Sequence, residues 1–169
     1  PFELSGGMNR RVLISTAMIE NPKLVIADEP TPGLDLKVAK RAMTHFRELA
    51  DMGAGVLVIT HDLKLALEVA DRIVVFYAGT TIEEADCTDF KQEGTLRHPY
   101  TKALWRAMPE HGFQYIPGSQ PYVKNLPKGC PFGPRCSQCT DECRGEVPYR
   151  RFQGGMVRCL HAAETEVSE

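Results

Sequence analysis

The sequence predicts an α/β protein, with a partial parallel-sheet core followed by a small, irregular, cysteine-rich extension. Three observations support this prediction. Up to about residue 77, short apolar runs alternate with stretches of helical spacing, which is typical of strands linked by crossover helices. After about residue 86, prolines and glycines become frequent, and five of the six cysteines follow residue 129. We therefore expect two domains, residues 1–86 and residues 87–169.

The chain opens on a broadly apolar stretch of helical character, for which Ser5 is placed as the N-cap. Residues 24–27 then form a short, wholly apolar run, which is typical of a strand buried on both faces of a parallel sheet. That strand ends in Asp28 and Glu29. Two carboxylates are therefore expected at the carboxyl edge of the sheet, where α/β proteins bind their ligands.

The second helix has the most regular pattern in the chain. From Asp35, apolar residues recur with helical spacing up to Ala50, and Gly53 follows as a stop signal. Residues 55–60 repeat the buried-strand pattern, and His61 lies at the end of that run. The second strand is thus expected to end in a histidine.

The remaining elements complete the prediction. Residues 63–70 indicate another helix and residues 73–76 a third strand, so the order favours right-handed crossovers in one α/β core. In the extension, a helix is expected between Pro99 and Pro109, followed by an irregular linker over residues 110–130. The net charge of −2 gives no support for nucleic-acid binding, and no apolar run approaches the roughly 18 residues of a spanning helix.

The adjacent carboxylates of Asp28 and Glu29 suit two chemical roles. One carboxylate can bind Mg²⁺, which takes one or two carboxylates together with phosphate oxygens and water. The other can act as the base that orients water for attack on a phosphoryl group. A helix-capping role for one of these acids is the structural alternative.

A second candidate site lies at the start of the first helix. Ser5, Gly6 and Gly7 would present free backbone N–H groups to an anion, and the helix dipole favours negative charge there. A simple glycine turn is the alternative. His61 could likewise be a structural histidine, but beside Asp28 and Glu29 it is a candidate contact for a γ-phosphate.

Four motifs, in this order and spacing, resemble those of ABC ATPases. They are the signature, Walker B, D-loop and H-loop, carried by Leu4-Ser5-Gly6-Gly7-Met8, Leu24-Val25-Ile26-Ala27-Asp28-Glu29-Pro30, Leu34-Asp35 and Thr60-His61-Asp62. The resemblance implies a P-loop NTPase core without its N-terminal half.

The resemblance also implies a role for each matching residue. Asp28 would bind Mg²⁺ through water, Glu29 would be the catalytic base, and His61 would contact the γ-phosphate. Asp35 would couple the two sites of a dimer. The signature residues Ser5, Gly6 and Gly7 would bind ATP held by the partner subunit.

The chain departs from the family pattern at three points. Arg10 stands where the signature has Gln, and Pro32-Gly33 precede the D-loop where Ser or Thr and then Ala are usual. A G-x-x-x-x-G-K-[ST] phosphate loop is absent from the sequence. The chain is therefore expected to be a fragment, inactive alone, of a subunit that hydrolyses ATP in a full-length dimer.

The tail resembles the C-terminal extension of dipeptide, oligopeptide and nickel importer ATPases. The matching segments are Arg97-His98-Pro99-Tyr100-Thr101-Lys102-Ala103-Leu104 and Gly129-Cys130-Pro131-Phe132-Gly133-Pro134-Arg135-Cys136. The family's cysteine pattern maps onto Cys130, Cys136, Cys143 and Cys159. Cys139 is then an extra thiol, and Cys87 is unrelated to the pattern.

Clustered thiols in a reducing cytosol indicate metal ligands sooner than disulfides. Four thiolates can hold an iron–sulfur cluster, and the resemblance implies a 4Fe–4S centre, which some family members carry here. Structural zinc is the alternative, for which Cys136 and Cys139 form the more typical close pair. Free cysteines packed as small hydrophobes are disfavoured by the Pro, Gly, Arg and Lys residues around them.

The resemblance thus implies an ATP-hydrolysing, membrane-associated subunit of an ABC importer for peptides, with nickel as an alternative solute. The implied partners are a second ABC ATPase subunit, membrane permease subunits and, indirectly, an extracytoplasmic solute-binding protein. The expected location is the cytoplasmic face of the membrane, as a peripheral subunit. A non-transport ABC ATPase acting on DNA or ribosomes is one alternative, and a metal-dependent regulatory or docking module in residues 87–169 is another.

Overall fold

The computed structural model describes residues 6–19 and 22–162. Two compact units form, Pro1–Ala70 and Asp71–Glu169, here called the N-terminal and the C-terminal unit. The N-terminal unit contains α1 (Gly6–Met18), β1 (Leu24–Asp28), α2 (Leu36–Asp51), β2 (Gly55–Ile59) and α3 (Leu63–Leu67). The C-terminal unit contains β3 (Arg72–Tyr77), β4 (Thr80–Asp86), α4 (Pro99–Arg106), β5 (Arg150–Phe152) and β6 (Gly155–Val157).

Short 3-10 turns make up much of the cysteine-rich extension. They span Cys87–Lys91, Glu93–Thr95, Pro109–His111, Val123–Asn125, Gly133–Arg135 and Asp141–Arg144. Between these turns the chain is irregular, as the frequent prolines and glycines predict. No helix in the described ranges is long and apolar enough to span a membrane.

Strands β1 and β2 form a parallel pair in which Leu24 lies opposite Gly55 and Asp28 opposite Ile59. The pairing continues beyond the strand, because the Glu29 N–H donates to the Ile59 carbonyl at 2.8 Å. The residues that follow the two strands therefore lie at one edge of the sheet.

Helix α2 covers one face of this sheet. Its apolar stripe is buried, with Met43 2% and Phe46 3% exposed, and packs against Val25 of β1. The Asp35 carboxylate caps the helix by accepting the Val38 N–H at 3.0 Å. The opposite face differs from the predicted double burial, since the Ile26 side chain is 62% exposed. Leu24, Leu57 and Ile59 are exposed as well.

The predicted third strand joins a different sheet. Strand β3 pairs antiparallel with β4, and a second sheet of order β3-β4-β6-β5 results. The reason is the connection: Ala78 and Gly79, at φ 48° and 80°, form a two-residue turn, whereas a parallel partner requires a crossover of a dozen or more residues. The α/β class and the parallel core pair are confirmed. The predicted boundary after residue 86 remains a prediction, although the compact units divide at residue 70.

Candidate functional site

Glu29 and His61 come together at the carboxyl edge of the parallel sheet. Each follows a strand of the pair, and the register places Asp28 beside Ile59. His61 Nδ1 lies 2.9 Å from Glu29 Oε1. Both side chains are accessible, with 79% of the His61 and 38% of the Glu29 side chain exposed. The sequence placed both residues at strand ends, and the structure joins them in one hydrogen bond.

The backbone of Glu29 is unusual for a residue that is not glycine. Its φ of 45° lies in the left-handed region, which costs a residue with a Cβ on the order of 1 kcal/mol or more. The hydrogen bond from its N–H to Ile59 holds this conformation. The chain thus turns sharply at the strand end and directs the carboxylate towards His61.

The Glu29 carboxylate also shapes the electrostatics of the pair. The pKa of His61 is raised above its ordinary value of 6.5, first by the hydrogen bond with Glu29, then by the charge of that carboxylate and of Asp62. The protonated imidazole is therefore favoured at higher pH than usual. Such a pair can orient a water molecule and carry a proton or a positive charge towards a phosphate.

The other candidate residues of the nucleotide site that the structure describes lie at the end of β1 and at the starts of α1 and α2. The Asp28 side chain is exposed at the end of β1, and Asp35 is the N-cap of α2. Gly6 and Gly7 begin α1, and a Cβ on Gly7 would lie 3.4 Å from Leu34 in the segment before Asp35. Ser5 lies outside the described residues.

In the C-terminal unit, five cysteines line one cavity, here called the thiol cavity. They are Cys130, Cys136, Cys139, Cys143 and Cys159, and His98 and His161 lie in the same wall. All four predicted ligands and the extra Cys139 are thus brought together. Cys87 is not part of this lining; it lies in the turn Cys87–Lys91.

Backbone hydrogen bonds hold the cysteine loops in place. The Cys130 N–H donates to the Cys143 carbonyl at 2.9 Å, and the Gly133 N–H donates to the Cys130 carbonyl at 3.0 Å. Glycine is required at position 129, beside the first of these hydrogen bonds, because a Cβ there would lie 2.6 Å from the Gly145 carbonyl oxygen. The loops at residues 129–136 and 139–145 are therefore tied backbone to backbone.

Burial favours the protonated form of three of these thiols, Cys130, Cys136 and Cys159. Burial raises the pKa of Cys130 and Cys136 and raises that of Cys159 to about 11. Neighbouring cysteines raise these pKa values further, while a hydrogen bond from the backbone N–H of His161 lowers that of Cys159. Binding a metal at this cavity would therefore release protons.

Two polar groups reach the sulfur atoms from the cavity wall. His98 Nε2 lies 4.0 Å from Cys130 Sγ, and the Thr140 hydroxyl lies 3.7 Å from Cys143 Sγ. Burial lowers the pKa of His98 to about 4, so this imidazole is neutral in the metal-free chain. The Thr140 hydroxyl also lies 3.0 Å from His161 Nε2. Sequence reasoning did not single out these groups, although His98 lies in the segment at residues 97–104 that carried the family resemblance.

A buried carboxylate, that of Glu83, holds the backbone of Arg97 and His98. Glu83, 0% exposed, accepts the N–H groups of Arg97 at 2.9 Å and of His98 at 2.7 Å. Arg97 is 5% exposed, and its guanidinium donates to Asp89 at 2.9 Å and to backbone carbonyls of the β5–β6 turn. The position of His98 is thus set by a carboxylate on strand β4.

Among the described residues, no group of three or more His, Cys, Asp or Glu side chains is arranged so that it could hold a metal ion. Five cysteines nevertheless line one cavity. The predicted ligand set therefore remains a prediction.

Comparison with known proteins finds similarities over nearly the whole chain. The family "Oligopeptide/dipeptide transporter, C-terminal region" matches residues 82–143, and the family "ABC transporter" matches residues 1–32. The oligopeptide transport ATP-binding protein OppD of Haemophilus influenzae is 40% identical over 97% of this chain and 52% of its own length. OppD of Escherichia coli is 39% identical over 97% of this chain and 50% of its own length. AppD of Bacillus subtilis is 40% identical over 95% of this chain and 51% of its own length.

These similarities cover both compact units, although the chain spans about half the length of the curated relatives it matches. The two family matches fall on the signature and Walker B region and on the cysteine-bearing extension, as the motifs predicted. The chain is therefore similar over nearly its whole length to oligopeptide transport ATP-binding proteins, and its residues 82–143 match the oligopeptide/dipeptide transporter C-terminal region.

Proposed function

We propose that this chain is the C-terminal part of an ATP-hydrolysing subunit that energises peptide uptake by an ABC importer. The observation that carries the proposal is the Glu29–His61 hydrogen bond of 2.9 Å at the carboxyl edge of the parallel sheet. A carboxylate base and a histidine at such an edge suit attack of water on a phosphoryl group. The names of the relatives, oligopeptide transport ATP-binding proteins, support peptides as the solute.

Each residue of the site has a part in this proposal. Glu29 orients and deprotonates the attacking water, and His61 holds the γ-phosphate through its imidazole. The exposed carboxylate of Asp28 has the oxygen donors that Mg²⁺ prefers and would hold that ion through water; the ion supplies charge neutralisation of the phosphates. The backbone N–H groups of Ser5, Gly6 and Gly7 bind ATP held by a partner, and Asp35 couples the two sites.

The proposal implies a defined assembly. A second ABC ATPase subunit completes the pair of nucleotide sites, and membrane permease subunits receive the motion. An extracytoplasmic solute-binding protein delivers the peptide, so the solute does not contact this chain. The subunit then acts as a peripheral component at the cytoplasmic face of the membrane, without nucleic acid.

The first prediction concerns complementation. Because the sequence contains no G-x-x-x-x-G-K-[ST] loop, we expect the chain alone to show no ATP turnover. Mixing it with a separately produced polypeptide that carries the phosphate-loop half of an OppD-type subunit should restore Mg²⁺-dependent phosphate release. Turnover by the chain alone, or a correctly folded mixture that stays inactive at every ratio, would contradict the proposal.

We also propose that the thiol cavity holds a 4Fe–4S cluster through Cys130, Cys136, Cys143 and Cys159. The donor set fits, because such a cluster takes one thiolate for each of its four iron atoms. The ligands of a cluster are spread around a volume, whereas a zinc ion needs all four sulfurs within about 2.3 Å of one point. The proposal is supported by the lining of one cavity by these four cysteines. The cluster, when bound, would supply a redox-active metal centre that crosslinks the cysteine loops.

The second prediction tests this ligand set. After anaerobic reconstitution of the whole chain, we expect matching iron and sulfide contents and broad absorbance near about 400 nm. Cys159→Ser should lose most of the iron, whereas Cys87→Ser is the matched control outside the cavity and should retain it. Cys139→Ser should also retain it if Cys139 is the spare thiol. Zinc without colour, or equal metal loss in Cys159→Ser and Cys87→Ser, would refute the cluster.

A further inference from the structure

His98 occupies an unusual position in the wall of the thiol cavity. It is 1% exposed, and its two ring nitrogens face different neighbours. Nδ1 faces the N–H of Tyr100 at 3.0 Å, at the start of α4. Nε2 faces Cys130 Sγ at 4.0 Å, within reach of a hydrogen bond to sulfur.

The surroundings of His98 select one tautomer. A backbone N–H is always a donor, so Nδ1 must accept from Tyr100 and carries no proton. The ring proton of the neutral imidazole is then on Nε2, the nitrogen that faces Cys130. The N–H therefore points at a sulfur atom.

The backbone around His98 fixes this direction. Its own N–H is held by the Glu83 carboxylate at 2.7 Å, and the adjacent Arg97 side chain is 3% exposed and bonded to Glu83 and Asp89. On the other side, the ring packs beside Phe132, with the ring centroids 6.0 Å apart. The imidazole is thus held by neighbours on both sides and cannot turn its Nε2 away from Cys130 without breaking the Tyr100 bond.

We propose that His98 donates a hydrogen bond from Nε2–H to the Cys130 sulfur and thereby raises the reduction potential of the metal centre bound there. This inference rests on the proposed cluster. A donor at a ligand sulfur withdraws electron density and favours the reduced, more negative state of the cluster, which is how hydrogen bonds tune such potentials. His98 is accordingly a positioning and tuning residue, not a ligand.

The two roles of the ring can be separated by substitution. His98→Asn keeps an acceptor near the Nδ1 position, where it can still cap α4, but removes the donor to sulfur. His98→Gln places an amide N–H near the Nε2 position and gives up the Nδ1 acceptor. His111, which stacks on Trp105 outside the thiol cavity, offers the matched control His111→Asn.

The test is a redox titration of the anaerobically reconstituted chain and these three variants, with iron and sulfide measured on each. We expect His98→Asn to retain the cluster and shift its potential to a more negative value. His98→Gln should recover most of that shift, and His111→Asn should match the parent chain. Circular dichroism checks that helix content is unchanged.

The outcomes separate this inference from the proposed cluster. A parent chain that takes up no iron and sulfide refutes the cluster. A parent chain with a cluster whose potential is the same in His98→Asn overturns the role of His98 alone, as does an equal shift in His111→Asn. On the metal-free chain, ¹⁵N NMR showing the His98 proton on Nδ1 overturns it too, independently of any metal.

Discussion

Glu29→Gln is expected to lower ATP turnover by about 10²–10⁴-fold in the complemented cassette, the range associated with loss of a general base. The amide keeps the size of the side chain and an oxygen that can face His61, so the sharp turn at φ 45° and the bond to Ile59 are retained. What is lost is the negative charge that accepts a proton from water. Nucleotide binding should change far less than turnover, and phosphate release measured beside nucleotide affinity distinguishes the two.

The chain supplies a matched control for this substitution. Glu48 lies 2.9 Å from His45 on helix α2, in a glutamate–histidine pair of the same chemistry away from the sheet edge. Glu48→Gln should leave turnover within about twofold, because exposed pairs of this kind contribute little. Equal losses in both variants would show that the effect is general to the fold. Full activity in Glu29→Gln would remove Glu29 from the role of base.

The contrast between these two pairs shows what a sequence can establish. Glu29 and His61 were predictable because each follows an apolar run, and parallel strands bring their carboxyl ends to one edge. The exposure of Ile26 was not predictable, because the composition of a strand does not say which of its faces is covered. A pattern along the chain identifies an element more reliably than it identifies the neighbours of that element.

The same limit applies to the C-terminal unit. The cysteines could be grouped by composition, and the structure brings all five of them into one cavity. The pairing of β3 with β4 was missed because the two charged residues Glu83 and Glu84 interrupt the apolar pattern of β4. Glu83 contacts residues 14 and 15 positions away in sequence, so its function in the fold depends on tertiary contacts that periodicity does not report.

Substitution of Glu83 is the second change for which a large effect is expected, here on stability. Glu83→Ala is expected to lower the free energy of unfolding of the C-terminal unit by about 3–5 kcal/mol, the cost of removing one partner from a buried ion pair. The Arg97 guanidinium would remain buried beside Asp89, and the N–H groups of Arg97 and His98 would lose their acceptor. Trp105, the single tryptophan of the chain, donates to the Phe90 carbonyl in the same unit, so its fluorescence reports this unfolding.

The neighbouring residue of the same strand provides the comparison. Glu84 is also a carboxylate on β4, but its side chain is 24% exposed and pairs with the exposed Arg72, so Glu84→Ala should cost under about 1 kcal/mol. Glu83→Gln should fall between the two, since its amide oxygen can still accept one N–H while the charge opposite Arg97 is lost. Urea titrations that place all three variants within about 1 kcal/mol of each other would show that Glu83 does not hold the Arg97–His98 segment. If the order is as expected, the carboxylate that stabilises the C-terminal unit is also the group that positions His98 against the sulfur of Cys130.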